Sequence, residues 1–236
     1  MDVNIWEKRW LNNDIGFHEA EPNPNLINYL TNLNLTTGSR IFVPLCGKTA
    51  DIRWLLSNGF RVAGIELVEL AVDQLFSDNG MKPAVTSIGK LKRFSDRNID
   101  IFVGDVFDLT NETLGAVDGV YDRGALVAIP PDKRASYAAH LTQITRHAPQ
   151  LVITCDYDHR KIKGSPFPVS GDEMQDCYGK AYQMALAERA EIPGGLKGIS
   201  PAHSDVWVLR ENCHDDVRPQ SEIALTRPFD STDSGF

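Results

Sequence analysis

The chain has 236 residues, 42% of them hydrophobic, and a formal net charge of −8 at pH 7. A chain of this length can bury one sizeable core, so we expect a single α/β domain. The acidic balance argues against nucleic acid or an anionic membrane surface as the main partner. No apolar stretch approaches the roughly 20 residues of a transmembrane helix, and the polar N-terminus is unlike a signal peptide.

The chain has four cysteines, Cys46, Cys155, Cys177 and Cys213, and none of them forms a CxxC pair. Cys46 and Cys155 fall at the predicted ends of buried strands, so we expect free thiols rather than a disulfide framework. The cysteine pattern therefore predicts a protein of the reduced cytoplasm.

The N-terminal region is predicted to form two helices, at residues 2–12 and 25–33, separated by a break at residues 13–18. Trp6 and Trp10 lie on or near one face of the first helix. Aromatic residues at helical spacing usually belong to a hydrophobic core. The alternative is a lid that covers a ligand, and the spacing alone leaves both interpretations open.

A glycine-bearing turn follows the first predicted strand. Residues 40–44 form an apolar run that is typical of a buried parallel strand, and the chain turns at residues 45–48. Gly47 has no Cβ, so the backbone can pass close to a ligand there. Thr49 or Asp51 can cap the helix that follows.

Glu66 follows the second predicted strand, residues 61–65, and stands 19 positions after Gly47. A strand, a glycine turn, a helix, a second strand and an acid in this order are typical of nucleoside-binding α/β units. In such units the backbone of the turn approaches the ligand and the acid accepts hydrogen bonds from ribose hydroxyls. The layout therefore predicts a nucleoside-type cofactor beside Gly47 and Glu66.

The rest of the chain alternates apolar runs with helical patterns. Further strands are predicted at residues 99–103, 117–121, 151–155, 184–192 and 205–210, with a minor strand at 91–94, and helices at residues 69–78, 132–147 and 172–182. The alternation predicts a right-handed, doubly wound, mostly parallel sheet with an antiparallel hairpin at one edge. Residues 211–236 lack periodicity and are predicted to form a disordered polar tail.

Ligands bind beyond the carboxyl ends of the strands in such sheets. Here these ends carry polar residues that packing does not require, namely Glu66, Asp105, Asp122, Arg123 and Asp156. A dinucleotide site usually has a GxGxxG turn, whereas Pro44-Leu-Cys-Gly-Lys48 has a single glycine. S-adenosylmethionine has no phosphate, and its sulfonium and amino acid suit acidic strand ends. The residues favour S-adenosylmethionine and leave a dinucleotide open.

Six short segments stand in the order seen in the thiopurine S-methyltransferase family, and the chain resembles a bacterial member from about Trp6 to Arg210. The segments are Trp6-Glu-Lys-Arg-Trp10, Ile15-Gly-Phe-His18, Pro44-Leu-Cys-Gly-Lys48, Gly64-Ile-Glu66, Asp122-Arg-Gly-Ala-Leu126, and Asp156-Tyr-Asp158 with Gly164-Ser-Pro-Phe167. The resemblance implies a class I methyltransferase fold, a doubly wound, seven-stranded, Rossmann-like sheet. It implies one domain over residues 1–210, with a helical lid at residues 1–34.

The resemblance also implies roles for individual residues. Trp10 would cover the cofactor, and the backbone of Leu45 and Gly47 would lie against its methionyl part. The further roles that it implies are ribose binding by Glu66, adenine contacts by Asp105 and Val106, contact with both cofactor and acceptor by Arg123, and lining of the acceptor pocket by Phe17. The simpler alternatives are an ion pair of Arg123 with Asp122 or Glu66, and a helix-capping role for Asp105.

The implied activity is methyl transfer from S-adenosylmethionine to the sulfur of a thiopurine or aromatic thiol, with S-adenosylhomocysteine as product. Selenium and tellurium compounds are further expected acceptors in detoxification, and Arg123 would favour an anionic acceptor. A cytoplasmic monomer acting on small molecules is expected. The alternatives are a halide or small-thiol methyltransferase, a nicotinamide-dependent oxidoreductase and a non-enzymatic S-adenosylmethionine-binding module.

Three other features have simple interpretations. Cys46 is expected to be a small buried residue rather than a nucleophile, because the sequence places no base near it. His18 is expected to have a structural role rather than to accept a proton. Asp156, Asp158 and His159 are close in sequence, and ligands so spaced rarely form a metal site without a distant partner. No metal site is therefore predicted.

Overall fold

The computed structural model describes residues 3–158, 160 and 164–212. Within these residues the strands are β1 Arg40–Pro44, β2 Arg61–Glu66, β3 Ala84–Ile88, β4 Leu91–Asp96, β5 Ile99–Val103, β6 Gly119–Arg123, β7 Gln150–Tyr157, β8 Tyr182–Glu191 and β9 Ala202–Glu211. The α-helices of the same part are α1 Val3–Leu11, α2 Pro24–Tyr29, α3 Ala50–Ser57, α4 Glu69–Asp78, α5 Asn111–Leu114, α6 Pro131–Ile144 and α7 Gly171–Tyr178.

The strands form one mixed sheet in the order β3-β4-β5-β2-β1-β6-β7-β9-β8. Its five central strands, from β5 to β7, are parallel. Antiparallel pairs extend both edges, β3 with β4 on one side and β9 with β8 on the other. The carboxyl ends of the central strands therefore meet along one edge of the molecule, where this class of sheet binds ligands.

The predictions of seven strands and of a mostly parallel sheet are wrong. The described residues form nine strands, and four of the eight neighbouring pairs are antiparallel. The strand that the prediction missed, β3, is exposed over its first four residues. An edge strand of this kind is held by backbone pairing with β4 rather than by burial, so it shows no apolar run.

The predicted helix over residues 69–78 is confirmed by α4. Two other predicted helices end earlier in the structure. α6 ends at Ile144 rather than at residue 147, because Arg146 and His147 have φ angles of 53° and 59°, outside the helical region. α7 ends at Tyr178, and β8 already begins at Tyr182.

Helices cover both faces of the sheet. Alternate strand residues point to opposite faces, so Phe42 and Phe102 pack in the cluster that contains the buried residues of α6 and α7. Ile41 and Ile101 pack in a second cluster, with the buried residues of α2, α3 and α4. The sheet is therefore doubly wound, and its central strands are fixed between two apolar layers.

The predicted tail begins at residue 211, but Glu211 is the last residue of β9. Residues 213–236, with Cys213, lie outside the described residues, as does His159. Cys46, Cys155 and Cys177 are free thiols. No helix in the described part is long and apolar enough to cross a bilayer.

Candidate active site

A cavity of about 510 Å³ opens at the carboxyl ends of the central strands. This volume lies within the range of small-molecule sites in proteins. α1 and the segment that follows it form one wall, and the ends of β1, β2, β6 and β7 form another. Six of the predicted site residues line the cavity, namely Trp10, Phe17, Leu45, Gly47, Glu66 and Arg123.

The β1–α3 loop contributes backbone to the cavity wall. Leu45 and Gly47 both have positive φ, 46° and 51°, and a non-glycine residue in this region is strained. The Cys46 amide donates to the Ile65 carbonyl at 3.0 Å, which ties the loop to β2. Thr49 caps α3 by accepting from the Asp51 amide. The loop is therefore held in an unusual conformation, and its residues line the cavity.

Glu66 is buried at the end of β2 and directly contacts this loop. One carboxylate oxygen accepts from the Gly47 amide at 2.8 Å, and the other accepts from the Val68 amide at 3.0 Å. Burial raises the pKa of Glu66, and these backbone donors oppose the rise. Each oxygen keeps a further lone pair, so Glu66 can still accept hydrogen bonds from a ligand in the cavity.

Asp105 and Val106 are not among the described residues that line the cavity. Asp105 caps the 3₁₀ turn Val106–Asp108, and its carboxylate accepts from the Phe107 amide at 3.1 Å. The carbonyl of Val106 contacts a ring nitrogen of His140 at 2.8 Å. The two residues are nevertheless close to Glu66 in the sheet, because the Gly104 amide donates to the Glu66 carbonyl at 2.9 Å.

Arg123, at the end of β6, lies in the cavity wall between two carboxylates. It forms ion pairs with Glu19 and with Asp51, the latter at 3.6 Å. The side chain of Asp51 is 1% exposed, and it also accepts from the Tyr121 hydroxyl at 3.0 Å. These contacts fix the guanidinium beside the cavity.

The alternative in which Arg123 pairs with Asp122 or Glu66 is wrong. Successive residues of a strand point to opposite faces, and Asp122 faces away from the cavity. Its carboxylate accepts from the Leu126 amide at 3.0 Å and from the Tyr137 hydroxyl at 2.8 Å. Burial raises the pKa of Asp122 to about 6.

Aromatic rings of the N-terminal region cover the loop. The ring of Phe17 packs edge-on against both Trp6 and Trp10, with centroids 5.8 Å apart in each pair. A Cβ added at Gly47 would lie 3.2 Å from the ring of Trp10, so the ring sits directly on the loop. Trp10 is buried in a small cluster of its own with Val68 and Ala71.

Two residues considered from the sequence lie at the cavity as well. Burial raises the pKa of the Cys46 thiol well above its usual value, and Glu66 adds to the rise, which supports the interpretation of Cys46 as a buried residue without nucleophilic character. Burial lowers the pKa of His18, and the Lys48 ammonium lowers it further. A structural role for His18 stays a prediction.

The acidic residues near the end of β7 are bound to arginines. Asp156 pairs with Arg189 at 2.7 Å, and Asp158 pairs with Arg160 at 2.8 Å. Among the residues that the structure describes, no group of three or more potential ligands is placed to hold a metal ion.

Sequence reasoning missed the site roles of three residues. Glu19 and Asp51 hold Arg123 from segments far away in the chain, and the sequence indicates Asp51 only as a helix cap. Lys197, on the loop between β8 and β9, also lines the cavity. No local pattern marks these roles, because Glu19 and Lys197 reach the cavity, and Asp51 reaches Arg123, only through the tertiary fold.

The family model described as thiopurine S-methyltransferase matches residues 1–211. The thiopurine S-methyltransferase of Xanthobacter autotrophicus is 49% identical over 210 residues, which cover 89% of this chain and 99% of the relative. The enzyme of the same name from Gluconobacter oxydans is 46% identical over 203 residues, covering 86% of this chain and 92% of the relative.

Solved structures agree on the fold. The magnesium protoporphyrin IX methyltransferase of Synechocystis, with bound S-adenosylhomocysteine, superposes with a TM-score of 0.62 at 11% identity and covers 89% of this chain and all of that one. The 1,6-didemethyltoxoflavin-N1-methyltransferase of Burkholderia thailandensis gives a TM-score of 0.62 at 17% identity, covering 89% of this chain and 86% of that one.

Proposed function

The chain belongs to the thiopurine S-methyltransferase family, whose members depend on S-adenosylmethionine, and we propose that it methylates the sulfur of a thiopurine or aromatic thiol. The observation that carries this proposal is that one cavity joins the Gly47–Glu66 pair to Arg123. The cavity therefore contains both the residues proposed to bind the nucleoside part of the cofactor and an arginine held in place by two carboxylates. Selenium and tellurium compounds are further acceptors under this proposal.

The residues present suit S-adenosylmethionine. Gly47 has φ 51°, and the Trp10 ring covers it so closely that a Cβ would meet the ring. Glu66 has acceptor capacity left for ribose hydroxyls. We assign cofactor contacts to Trp10, Leu45, Gly47, Glu66 and Arg123, and to Asp105 and Val106 beside the adenine.

When bound, the cofactor supplies an electrophilic methyl group on a sulfonium. An aromatic thiol is largely a thiolate near neutral pH, so the protein needs little base catalysis. Glu19 and Asp51 fix the guanidinium of Arg123, which has five N–H donors in all, so it can also hydrogen-bond and orient the anionic sulfur. The rings of Trp6, Trp10 and Phe17 pack together in the cavity wall, and water that bound ligands displace beneath them strengthens the electrostatic interactions in the cavity.

A halide or small-thiol methyltransferase would prefer a small anion over an aromatic ring, and a binding module would transfer nothing. The first experiment measures methyl transfer from labelled S-adenosylmethionine to 6-mercaptopurine, selenite and iodide in parallel. We expect the highest rate with 6-mercaptopurine. A preference for iodide would replace the proposal with the halide alternative, and cofactor binding without any transfer would favour the binding module.

Arg123→Ala is expected to lower kcat by roughly 100- to 1000-fold, the scale of one lost electrostatic donor, with a smaller change in the Kd for S-adenosylhomocysteine. Arg123→Lys keeps the charge near Asp51 and is expected to retain part of the activity. Steady-state kinetics and calorimetry measure the two quantities. Equal losses of transfer and cofactor affinity would contradict the acceptor role.

We also propose a cytoplasmic, monomeric protein, and the free thiols of Cys46, Cys155 and Cys177 support a reducing compartment. The domain proposal is a single methyltransferase domain over residues 1–210, with residues 1–34 as a helical lid. The edge-on ring contacts of Trp10 and Phe17 support the lid.

A further inference from the structure

Residues 165–168, which we call the wall segment, follow β7 and form part of the cavity wall. Ser165 and Pro166 line the cavity itself. Prolines occupy positions 166 and 168, and a proline has no amide hydrogen to donate to a sheet. The conformation of the wall segment therefore depends on the contacts that other parts of the fold make with it.

Backbone hydrogen bonds join the wall segment to two neighbouring parts of the cavity wall. The Phe167 amide donates at 2.7 Å to the carbonyl of Val127, a cavity residue in the 3₁₀ turn Leu126–Ala128. Directly after the wall segment, the Val169 amide donates to the carbonyl of Cys155 at 2.8 Å. The wall segment is thus joined to the turn that follows β6 and to the end of β7.

Arg134, on α6, connects the same parts through its side chain. Its Nε donates at 3.1 Å to the carbonyl of Ile129, the residue after the 3₁₀ turn. Its Nη1 donates at 2.9 Å to the carbonyl of Pro168, the last residue of the wall segment, and pairs with Glu173 of α7 at 2.6 Å. The guanidinium also lies 5.9 Å from the ring centroid of Phe167. One side chain therefore connects the turn, the wall segment and α7.

The burial of Arg134 is not explained by stability alone. Its side chain is 0% exposed, and that of Glu173 is 29% exposed. The attraction within a buried ion pair is largely offset by the cost of removing the charges from water. Nη2 of Arg134 has no hydrogen-bond partner among the described residues, which adds to this cost. The two carbonyls that Arg134 binds point instead to a role in the placement of the cavity wall.

The parts that Arg134 connects lie on the acceptor side of the cavity. The 3₁₀ turn begins three residues after Arg123, and the wall segment is joined to β7. In the sheet β7 is three strands away from β2, which ends in Glu66, roughly 14 Å at a strand spacing of about 4.8 Å. Arg134 is not among the described residues that line the cavity, so it can act on a ligand only through the wall.

We propose that Arg134 is a positioning residue, which fixes the wall segment against the 3₁₀ turn and so sets the shape of the acceptor half of the cavity. The proposal rests on the proposed function, because it adds a residue to the same transfer reaction. In-line attack on a sulfonium methyl group depends on the orientation of the acceptor sulfur. A displacement of about 1 Å caused far from the reacting atoms can lower the rate roughly 100-fold.

Arg134→Lys tests the positioning role. Lysine keeps the positive charge near Glu173, but its single nitrogen cannot occupy the positions of Nε and Nη1 together. We expect kcat/KM for 6-mercaptopurine to fall roughly 10- to 100-fold. The Kd for S-adenosylhomocysteine should change less than about 3-fold. Kinetics and calorimetry are measured well below the unfolding transition, where a residue that only stabilises the fold leaves kcat/KM unchanged.

Arg40→Lys is the matched control, because Arg40 is a second arginine with a largely buried side chain. It donates to the carbonyls of Leu114 and Ala116 at 2.6 and 3.3 Å, and it pairs with Asp100 at 3.0 Å. Arg40 begins β1 and lies at the edge of the sheet opposite the cavity. Arg40→Lys should lower the urea midpoint and leave kcat/KM unchanged. Equal falls in kcat/KM for the two variants, or no fall for Arg134→Lys, overturn the proposal.

Phe167→Ala tests the same role if Arg134→Lys does not fold. It removes the ring beside the guanidinium and leaves the backbone carbonyls that Arg134 binds. A lower kcat/KM for 6-mercaptopurine with an unchanged Kd for S-adenosylhomocysteine supports the proposal. An unchanged kcat/KM overturns it.

Amide hydrogen exchange separates failure of the positioning role from failure of the proposed function. If the wild-type protein methylates no acceptor, the exchange of the Phe167 and Val169 amides still reports on the wall segment. We expect both amides to exchange faster in Arg134→Lys, while peptides from β1 and β2 exchange as in the wild type. The same exchange of Phe167 and Val169 in both proteins overturns the positioning role.

Discussion

Glu66 shows how one residue connects the loop conformation to ligand binding. Its two oxygens hold the amides of Gly47 and Val68, and it is buried without a cationic partner among the contacts of the described chain. A carboxylate in this position is stabilised by backbone donors against the cost of burial. Its remaining acceptor capacity faces the cavity.

Glu66→Gln is expected to weaken S-adenosylmethionine binding by roughly 10- to 100-fold, the scale of a lost hydrogen bond to a charged group. The amide nitrogen of glutamine would also meet a backbone donor at Gly47 or Val68, which disturbs the loop. Isothermal titration calorimetry measures the change. Glu69→Gln is the control, since Glu69 pairs with Lys92 near the surface, and an unchanged Kd for Glu66→Gln would remove Glu66 from the ribose site.

At the scale of elements, α1 and the segment after it are connected to the site at two points. Trp10 packs on Gly47 of the β1–α3 loop, and Glu19 pairs with Arg123 at the end of β6. The N-terminal region therefore contacts both the cofactor loop and the cation assigned to the acceptor. A movement of this region would change both halves of the cavity together.

Trp10→Ala distinguishes a lid from a core helix. Because Trp10 belongs to a small cluster with Val68 and Ala71, outside the two main core clusters, we expect a loss of unfolding free energy below the roughly 3–5 kcal/mol of a large core truncation. The stabilisation by S-adenosylhomocysteine should largely disappear. Thermal denaturation with and without S-adenosylhomocysteine measures both, and a full core-sized loss with unchanged ligand stabilisation would show that Trp10 is a core residue.

At the scale of the whole molecule, the buried Asp122 makes stability depend on pH. Its pKa is about 6 because burial disfavours the carboxylate, against about 3.9 in an unfolded chain. The native state therefore keeps this proton between the two values while the unfolded state loses it. The stabilising contribution is complete below the unfolded pKa and is lost as the pH rises through about 6.

Asp122→Asn removes this titration and can keep the contacts with the Leu126 amide and the Tyr137 hydroxyl. We expect the free energy of unfolding of the wild type, relative to the variant, to fall by about 2 kcal/mol between pH 4 and pH 7. Denaturant titrations at several pH values measure this difference. Burial also raises the pKa values of Glu66 and Asp205, but both residues are present in the wild type and the variant, so their effects cancel. A difference that stays constant with pH would show that Asp122 keeps an ordinary pKa.

Local sequence determined the parts of this protein that depend on neighbours in the chain. The apolar runs of β1 and β2, the periodicity of α4 and the approach of Glu66 to Gly47 all follow from residues within one βαβ unit. Burial of consecutive apolar residues leaves a pattern in the sequence, so these elements can be predicted from the amino acids alone.

Tertiary structure alone decided the rest. β3 is an exposed edge strand that forms by pairing with β4. Arg123 forms ion pairs with Glu19 and Asp51, which are distant in the chain. Lys197 reaches the cavity from a turn after β8. Such contacts join segments that are distant in the chain, and they leave no periodic pattern in either segment. These contacts form only when the assembled sheet brings the two segments together, so the local sequence of either segment does not predict them.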